Sequence, residues 1–165
     1  MAYSYITEES SDSYDYTFYS DQTGRIYTVT FDPTLYSELE DKIPTLIQSG
    51  YGVVFYKKQA VEQPKGTIMR DPQVSETIQQ IIHDFLASMD NQTFVIYQCE
   101  NYKEALFDKW YDSANTDIHV VKGGVLLGVG SSRDLSYLGF IAEGSDSEKI
   151  LKAYDELVAF SLEFM

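Results

Sequence analysis

One long apolar stripe, over residues 71–89, constrains this chain more than any other feature of its sequence. Asp71-Pro72 is a typical helix start, because an acidic N-cap precedes a proline at the first helical position. The apolar residues that follow recur at the spacing of a single helix face, which must be buried against a core. These residues are Val74, Ile78, Ile81, Ile82, Phe85, Leu86 and Met89.

A β-hairpin is predicted near the beginning of the chain. Apolar and polar residues alternate over 14–18 and again over 27–31, and a period of two is typical of half-buried strands. Residues 21–24 carry turn-forming side chains and end on Gly24, which tolerates a positive φ angle. The alternating apolar residues are Tyr14, Tyr16, Phe18, Tyr27, Val29 and Phe31.

The middle of the chain predicts alternating helices and strands. Residues 34–49 have helical spacing but contain Pro44, so we expect two short helices or a kink. The apolar runs 51–56 and 93–99 predict buried strands. Asn101 and Glu104 have the spacing of a capping box, which predicts a further helix as far as Ser113.

The last third predicts three strands and a helix. We expect strands over 116–121, 125–129 and 135–142, with a tight turn at Gly123-Gly124. A second capping box, Ser145 with Glu148, opens a final helix. Its apolar residues are expected on one face, and they are Ile150, Leu151, Tyr154, Leu157, Val158 and Leu162.

The order of these elements predicts an α+β fold. Interleaved helices and hairpins at both ends favour a single mixed, mostly antiparallel sheet of six or seven strands, with helices packed on it. Residues 1–12 are polar and acidic without a sustained period, so we expect a disordered acidic N-terminus. Residues 13–165 then form a single globular domain.

Charge and composition limit the classes of partner. The chain has 12 Lys and Arg against 26 Asp and Glu, a formal net charge of −14, and its pI is about 4.3. Binding to nucleic acid or to an anionic membrane surface needs clustered basic residues, so we expect neither. A single cysteine, the absence of a leader-like beginning and the absence of a long apolar run favour the cytoplasm.

No motif predicts a catalytic residue, a metal ligand or a cofactor. The two histidines, His83 and His119, have no Cys or His neighbour at ligand spacing, and His83 lies opposite the apolar stripe, where we expect it solvated. Cys99 ends a buried strand, a position that suits a nucleophile or a small buried apolar side chain. We favour the second interpretation.

Two segments could bind an anion through their backbone or basic side chains. The glycine-rich residues 123–133 allow a phosphate-binding loop, but strand turns explain their spacing better. Residues 57–70 are net positive and lead into the start of the long helix, whose free amides attract anions. The alternative for that segment is a solvated loop. The candidate ligand-binding residues are Lys57, Lys58, Lys65, Gly66 and Arg70.

Aromatic residues suggest recognition of another protein. The chain has 14 tyrosines, and Tyr14-Asp15-Tyr16 has the composition of an acidic protein-binding face. In the helix over 101–113, we expect Leu106 and Trp110 in the core, and Phe107 and Tyr111 partly exposed on an association surface. The sequence therefore favours a non-enzymatic protein-interaction module with an unidentified protein partner, and it leaves the oligomeric state open.

Most of the chain resembles a family of small bacterial proteins of unknown function. The resemblance lies in three motifs, and it implies neither an activity nor a site. The motifs are Tyr16-x-Phe18, Val95-x-Tyr97-x-Cys99-x-Asn101 and Leu106-Phe107-x-x-Trp110-Tyr111.

The order of elements after residue 50 resembles that of acetyltransferases that use acetyl-coenzyme A. In that family a Q/R-x-x-G-x-G/A loop before the long helix holds the pyrophosphate. Gln63-x-x-Gly66-x-Ile68 matches the first half of this motif, and Ile68 replaces the last small residue. The resemblance implies an acyl-coenzyme A-binding, acetyltransferase-like domain, either active or inactive, with Lys65, Gly66 and Arg70 around the pyrophosphate. This is the alternative to the interaction module.

Overall fold

A computed structural model describes residues 2–10, 12–59, 71–89, 92–100, 120–128, 136–144 and 146–163. Its strands are β1 (Tyr5–Glu9), β2 (Tyr14–Ser20), β3 (Arg25–Asp32), β4 (Gly50–Gln59), β5 (Phe94–Glu100), β6 (Val120–Leu127) and β7 (Ser136–Glu143). Its helices are α1 (Pro44–Ser49), α2 (Pro72–Ser88) and α3 (Ser147–Leu162), and a short 3-10 helix spans Ser37–Leu39.

The seven strands form one mixed sheet in the order β1-β2-β3-β4-β5-β7-β6. Only β4 and β5 pair in parallel, and every other neighbouring pair is antiparallel. The α2 helix provides the long connection that a parallel pair requires. The predicted α+β class, with a single mostly antiparallel sheet and helices packed on it, is therefore confirmed.

The α2 helix covers one face of the sheet through a cluster of aromatic rings. Phe85 stacks on Phe31 of β3, with 3.9 Å between the ring centroids and 2° between the ring planes. Tyr16 and Tyr51 meet the edge of the same ring. Asp71 caps the helix by accepting a hydrogen bond from the Gln73 amide, which confirms the predicted helix start.

On the opposite face, the described helices α1 and α3 lie over β5, β7 and β6 and reach only the beginning of β4. There α1 and α3 bury a second core against the sheet, with Leu46, Phe94, Phe140 and Leu157 among its residues. Pro44 is the first residue of α1 and separates it from the 3-10 helix, so the predicted pair of short helices is confirmed.

The expected disorder of residues 1–12 is wrong for the residues that form β1. This strand pairs with β2 along its whole length, from Tyr5 opposite Phe18 to Glu9 opposite Tyr14. The side chain of Tyr5 also donates a hydrogen bond to Asp84 on α2. The contact with α2 joins residues 79 positions apart in the chain, so the local sequence pattern could not indicate it.

The predicted turn at Gly123-Gly124 is also wrong, because both glycines lie inside β6. The ring of Tyr137 on β7 occupies the space that a side chain at position 124 would need. Glycine here permits close packing of an aromatic ring on the strand. By contrast, Gly24 does lie in a turn, with φ of 70°, as the hairpin pattern predicts.

The final helix differs from its predicted pattern in two ways. Its N-cap is Asp146, which accepts from the Lys149 amide, rather than Ser145. Its buried residues are Ala153, Leu157 and Phe160. Several residues expected on the core face are exposed instead, namely Leu151, Tyr154 and Leu162.

We predict that Phe85→Ala lowers the free energy of unfolding by about 3–5 kcal/mol. The substitution removes the buried ring that packs on Phe31, Tyr16 and Tyr51. Urea unfolding followed by circular dichroism measures this change. Tyr19→Ala, an aromatic truncation on the exposed side of β2, serves as the control and should cost less than about 1 kcal/mol. Similar losses for the two variants would contradict this description of the core.

Candidate functional site

Four strands, β1 to β4, leave one face of the sheet without a described helix. Side chains alternate between the faces of a strand, and those on the other face pack towards α2. We call the uncovered surface the open face. Its residues are Ile6, Glu8, Asp15, Thr17, Tyr19, Ile26, Thr28, Thr30, Val54, Tyr56 and Lys58.

Cross-strand pairing arranges the open face in rows. One row runs from Ile6 through Thr17 and Thr28 to Tyr56, so it crosses all four strands. With neighbouring strands about 4.8 Å apart, its two ends are roughly 14 Å apart. The hydroxyls of Thr17 and Thr28 lie 3.2 Å apart within hydrogen-bonding distance, so the centre of the row is polar and its ends are apolar.

Large apolar side chains stand out from this face. Ile6 is 69% exposed, Tyr56 is 59% exposed and Tyr19 is 43% exposed. Beside them, a shallow depression of about 450 Å³ is lined mainly by β1 and β2. Exposed apolar side chains grouped with polar neighbours are typical of a protein-binding surface.

A second row of the open face brings two carboxylates together. Glu8 on β1 lies directly opposite Asp15 on β2, and like charges in this arrangement destabilise a strand pair. The Thr30 hydroxyl donates to Asp15 at 2.7 Å, which orients that carboxylate. The pair therefore offers a place where a cation from a partner would be stabilised.

The sequence interpretation of Tyr14-Asp15-Tyr16 as one exposed face is wrong. Successive strand residues point to opposite sides, so Asp15 lies on the open face while Tyr14 and Tyr16 face α2. Tyr16 is buried and meets the rings of Phe31 and Phe85. The exposed tyrosines of this region are instead Tyr19 and Tyr56.

The candidate anion-binding residues are not brought together where the structure describes them. Lys57 and Lys58 are neighbours on β4, so Lys58 lies on the open face and Lys57 on the α2 side. Lys65, Gly66 and Arg70 lie outside the described residues.

The beginning of α2 already holds a negative group. The Asp71 carboxylate is buried, and it accepts hydrogen bonds from Ser20 Oγ at 2.7 Å, from the Gln73 amide at 3.0 Å and from the Tyr3 hydroxyl. A phosphate at this helix end would meet that carboxylate at close range. The helix N-terminus is therefore poorly suited to a second anion.

Strands β4 and β5 part after a short parallel contact. Their pairing covers three positions, from Gly50 opposite Phe94 to Gly52 opposite Ile96. In open α/β sheets, ligands bind beyond the carboxyl ends of the strands. Strands β4 and β5 separate from each other towards these ends. Cys99 lies near the end of β5 and is half-buried. Its role as a nucleophile or as a small buried apolar side chain therefore stays a prediction.

A cavity of about 400 Å³ lies beside the end of β5, on the α1 side of the sheet. Burial raises the pKa of Tyr36 to about 12, and the nearby Glu38 and Cys99 act in the same direction. Tyr36 is therefore a neutral hydroxyl at physiological pH. The cavity is lined by Tyr36, Glu38, Leu39, Gln98, Leu127, Gly128, Ser136, Leu138 and Phe160.

The expectation that His83 is solvated is wrong, since its side chain is only 3% exposed. The α2 helix contacts β2, β5 and β7. These contacts bury more of its circumference than the single apolar face that the sequence predicts. Burial lowers the pKa of His83, although the neighbouring Asp84 acts in the opposite direction. Its Nδ1 has no hydrogen-bond partner in the structure.

Three further predictions concern an association surface, a metal site and a membrane-spanning helix. Phe107 and Tyr111, the predicted association surface, lie outside the described residues. Within the described ranges, no group of three or more His, Cys, Asp or Glu side chains is placed to hold a metal ion. None of the described helices is long and apolar enough to cross a membrane.

Comparison of the sequence with protein-family models found no match, and comparison with curated proteins found no significant similarity.

We predict that His83 makes the protein less stable as the pH falls from about 7.5 to 5.5. The histidine of the unfolded chain, with a pKa near 6.5, binds a proton more readily than the buried side chain, whose pKa is lowered, so protonation favours unfolding. Urea unfolding at several pH values measures the slope. His83→Gln should flatten it, whereas His119→Gln, the control at the only other histidine, should not. An unchanged slope in His83→Gln would contradict the assignment.

Proposed function

We propose that this chain is a non-enzymatic binding module that holds a basic segment of another protein on its open face. The observation that supports the proposal is the row from Ile6 to Tyr56, which crosses four strands and carries exposed apolar ends. A folded chain rarely leaves such a surface uncovered without a partner for it. The acidic composition and the single cysteine support a cytoplasmic location.

The charge of the chain favours a basic partner. The net charge of −14 attracts cationic segments over long distances and raises their rate of association. On the open face, Glu8 and Asp15 offer paired acceptors to one cationic group. Arginine suits this surface best, because it can bind carboxylates with two hydrogen bonds and stack on a tyrosine ring.

The apolar part of the open face determines which basic segment binds. Tyr19 and Tyr56 supply rigid contact area with a polar tip, and tyrosines of this kind dominate the energy of many interfaces. We therefore expect the partner segment to combine arginine or lysine with aliphatic or aromatic residues. A segment with charge alone would bind weakly and would be lost at physiological salt.

We predict that replacing both exposed tyrosines, in Tyr19→Ser/Tyr56→Ser, abolishes capture of the partner. The immobilised protein is exposed to cell lysate at about 50 mM and about 500 mM salt, and retained proteins are identified by mass spectrometry. Basic proteins should be retained at low salt by the native chain, released at high salt, and missing from the double variant.

Leu151→Ser is the matched control, since it alters an equally exposed apolar residue on α3, away from the open face. It should retain the same proteins as the native chain. Retention of nothing at low salt, or equal retention by the double variant, would refute the proposal.

The alternative function is an acyl-coenzyme A-binding domain like the acetyltransferases described above. One observation favours it: the sheet has a single parallel pair, β4 and β5, which separates after three positions. The gap between β4 and β5, together with the cavity of about 400 Å³ beside the end of β5, offers space for an extended acyl-coenzyme A chain. The buried Asp71 carboxylate at the start of α2 does not fit a pyrophosphate at that helix end. We therefore rank this function second.

Thermal unfolding with acetyl-coenzyme A separates the two functions. The interaction module predicts no change in Tm at about 1 mM ligand. A ligand present at 100 times its Kd would add about 2.7 kcal/mol of stability and raise Tm by several degrees. A rise of that size, absent with free adenosine, would move the assignment to the acyl-coenzyme A-binding domain.

A further inference from the structure

The cavity beside the end of β5 lies where the second core stops. Phe94, Ile96 and Gln98 are on the same face of β5, because alternate residues of a strand point to one side. Phe94 and Ile96 are buried in the second core, whereas Gln98 is exposed. The layer formed by α1 and α3 therefore ends before Gln98, and the sheet beyond it borders the cavity of about 400 Å³. We call this space the β5 cavity.

Four different elements supply the apolar part of the β5 cavity. Leu39 comes from the 3-10 helix, Leu127 from β6, Leu138 from β7 and Phe160 from α3. Small-molecule sites are typically clefts of about 300–1,000 Å³ in which apolar side chains surround a few polar groups. The β5 cavity has the size and the apolar lining of such a site.

The polar groups of the β5 cavity come from three parts of the chain. Gln98 of β5 and Ser136 of β7 are neighbours, with 3.5 Å between Gln98 Nε2 and Ser136 Oγ. Tyr36, immediately before the 3-10 helix, and Glu38 within it are the others. Each of these four side chains carries an oxygen that can accept a hydrogen bond. The cavity therefore suits a ligand that donates several hydrogen bonds.

The charge of the β5 cavity favours a cation over an anion. Among the described residues that line it, Glu38 is the only charged side chain and none is basic. A phosphate or a carboxylate would meet the Glu38 carboxylate without a compensating cation. A cation would instead be attracted by Glu38, by the face of the Tyr36 ring and by the net charge of −14.

We propose that the β5 cavity binds a small organic cation, a primary amine with an apolar body. The ammonium group has three N–H donors, which Glu38, Gln98 and Ser136 can accept. The apolar body packs against Leu138 and Phe160, so both kinds of lining are used. An inorganic cation would leave the apolar lining exposed to water.

Titration of the ¹⁵N-labelled native chain, followed by nuclear magnetic resonance at pH 7 and about 150 mM salt, tests the proposal. The main probe is 3-phenylpropylamine. Its matched probes are 3-phenylpropan-1-ol, which lacks the charge, 3-phenylpropanoate, which reverses it, and methylamine, which lacks the apolar body. The amine should shift the amide signals of Gln98 and Ser136 in a saturable way. The alcohol should bind more weakly, and the carboxylate and methylamine should not saturate.

Two variants test the assigned contacts. Glu38→Gln should weaken the amine about three- to fivefold, as expected for an exposed ion pair, and leave the alcohol unchanged. Ser136→Phe places a ring in the cavity and should abolish saturable binding of both. Glu40→Gln is the matched control, because it neutralises a nearby exposed acid that does not line the cavity. It should bind the amine as the native chain does.

Four results would overturn the proposal. They are equal affinity for the amine and the carboxylate, equal affinity for the amine and methylamine, unchanged amine affinity in Glu38→Gln, and amine-induced shifts restricted to the open face. Glu38 is exposed, so its variant remains informative even where Ser136→Phe does not fold. The β5 cavity shares no residue with the open face, so either proposal can fail alone.

Discussion

The stacking of Phe85 on Phe31 is the contact on which the rest of this structure depends. It fixes the α2 helix against β3, in the half of the sheet where no other described helix contributes to the core. Tyr16 and Tyr51 surround the same ring, so strands β2, β3 and β4 all meet α2 at one point. Aromatic pairs of this kind contribute about 0.5–1.5 kcal/mol beyond the area that they bury.

The positions of the three described helices also explain why none of them covers the open face. The α2 helix covers one face of β1 to β4, whereas the described helices α1 and α3 cover the other face over β5, β7 and β6 and at the beginning of β4. The open face is the part of the sheet that no described helix reaches. Among the described residues, the open face therefore follows from three helices covering seven strands.

Local sequence patterns correctly predicted the helix starts and the turn, because these features depend on residues that are neighbours in the chain. Asp71 and Pro72 begin a helix, Gly24 adopts a positive φ, and Pro44 begins a new helix, because each depends on its nearest neighbours. The pattern missed β1, whose partners on α2 lie more than seventy positions away. It also misread His83, because its burial depends on how many strands α2 crosses. In the candidate site, only pairing across β1 to β4 reveals which tyrosines are exposed.

The α2 helix covers one face of β1 to β4, and no described helix covers the residues of the open face on the other side. Nuclear magnetic resonance with a soluble gadolinium chelate tests it directly on the tyrosine rings of one labelled sample. The structure predicts strong broadening of the Tyr19 and Tyr56 ring signals and little effect on Tyr16, which lies three residues before Tyr19 on the same strand. Protection of Tyr19 and Tyr56 as complete as that of Tyr16 would show that something covers the open face, and the claim would be wrong.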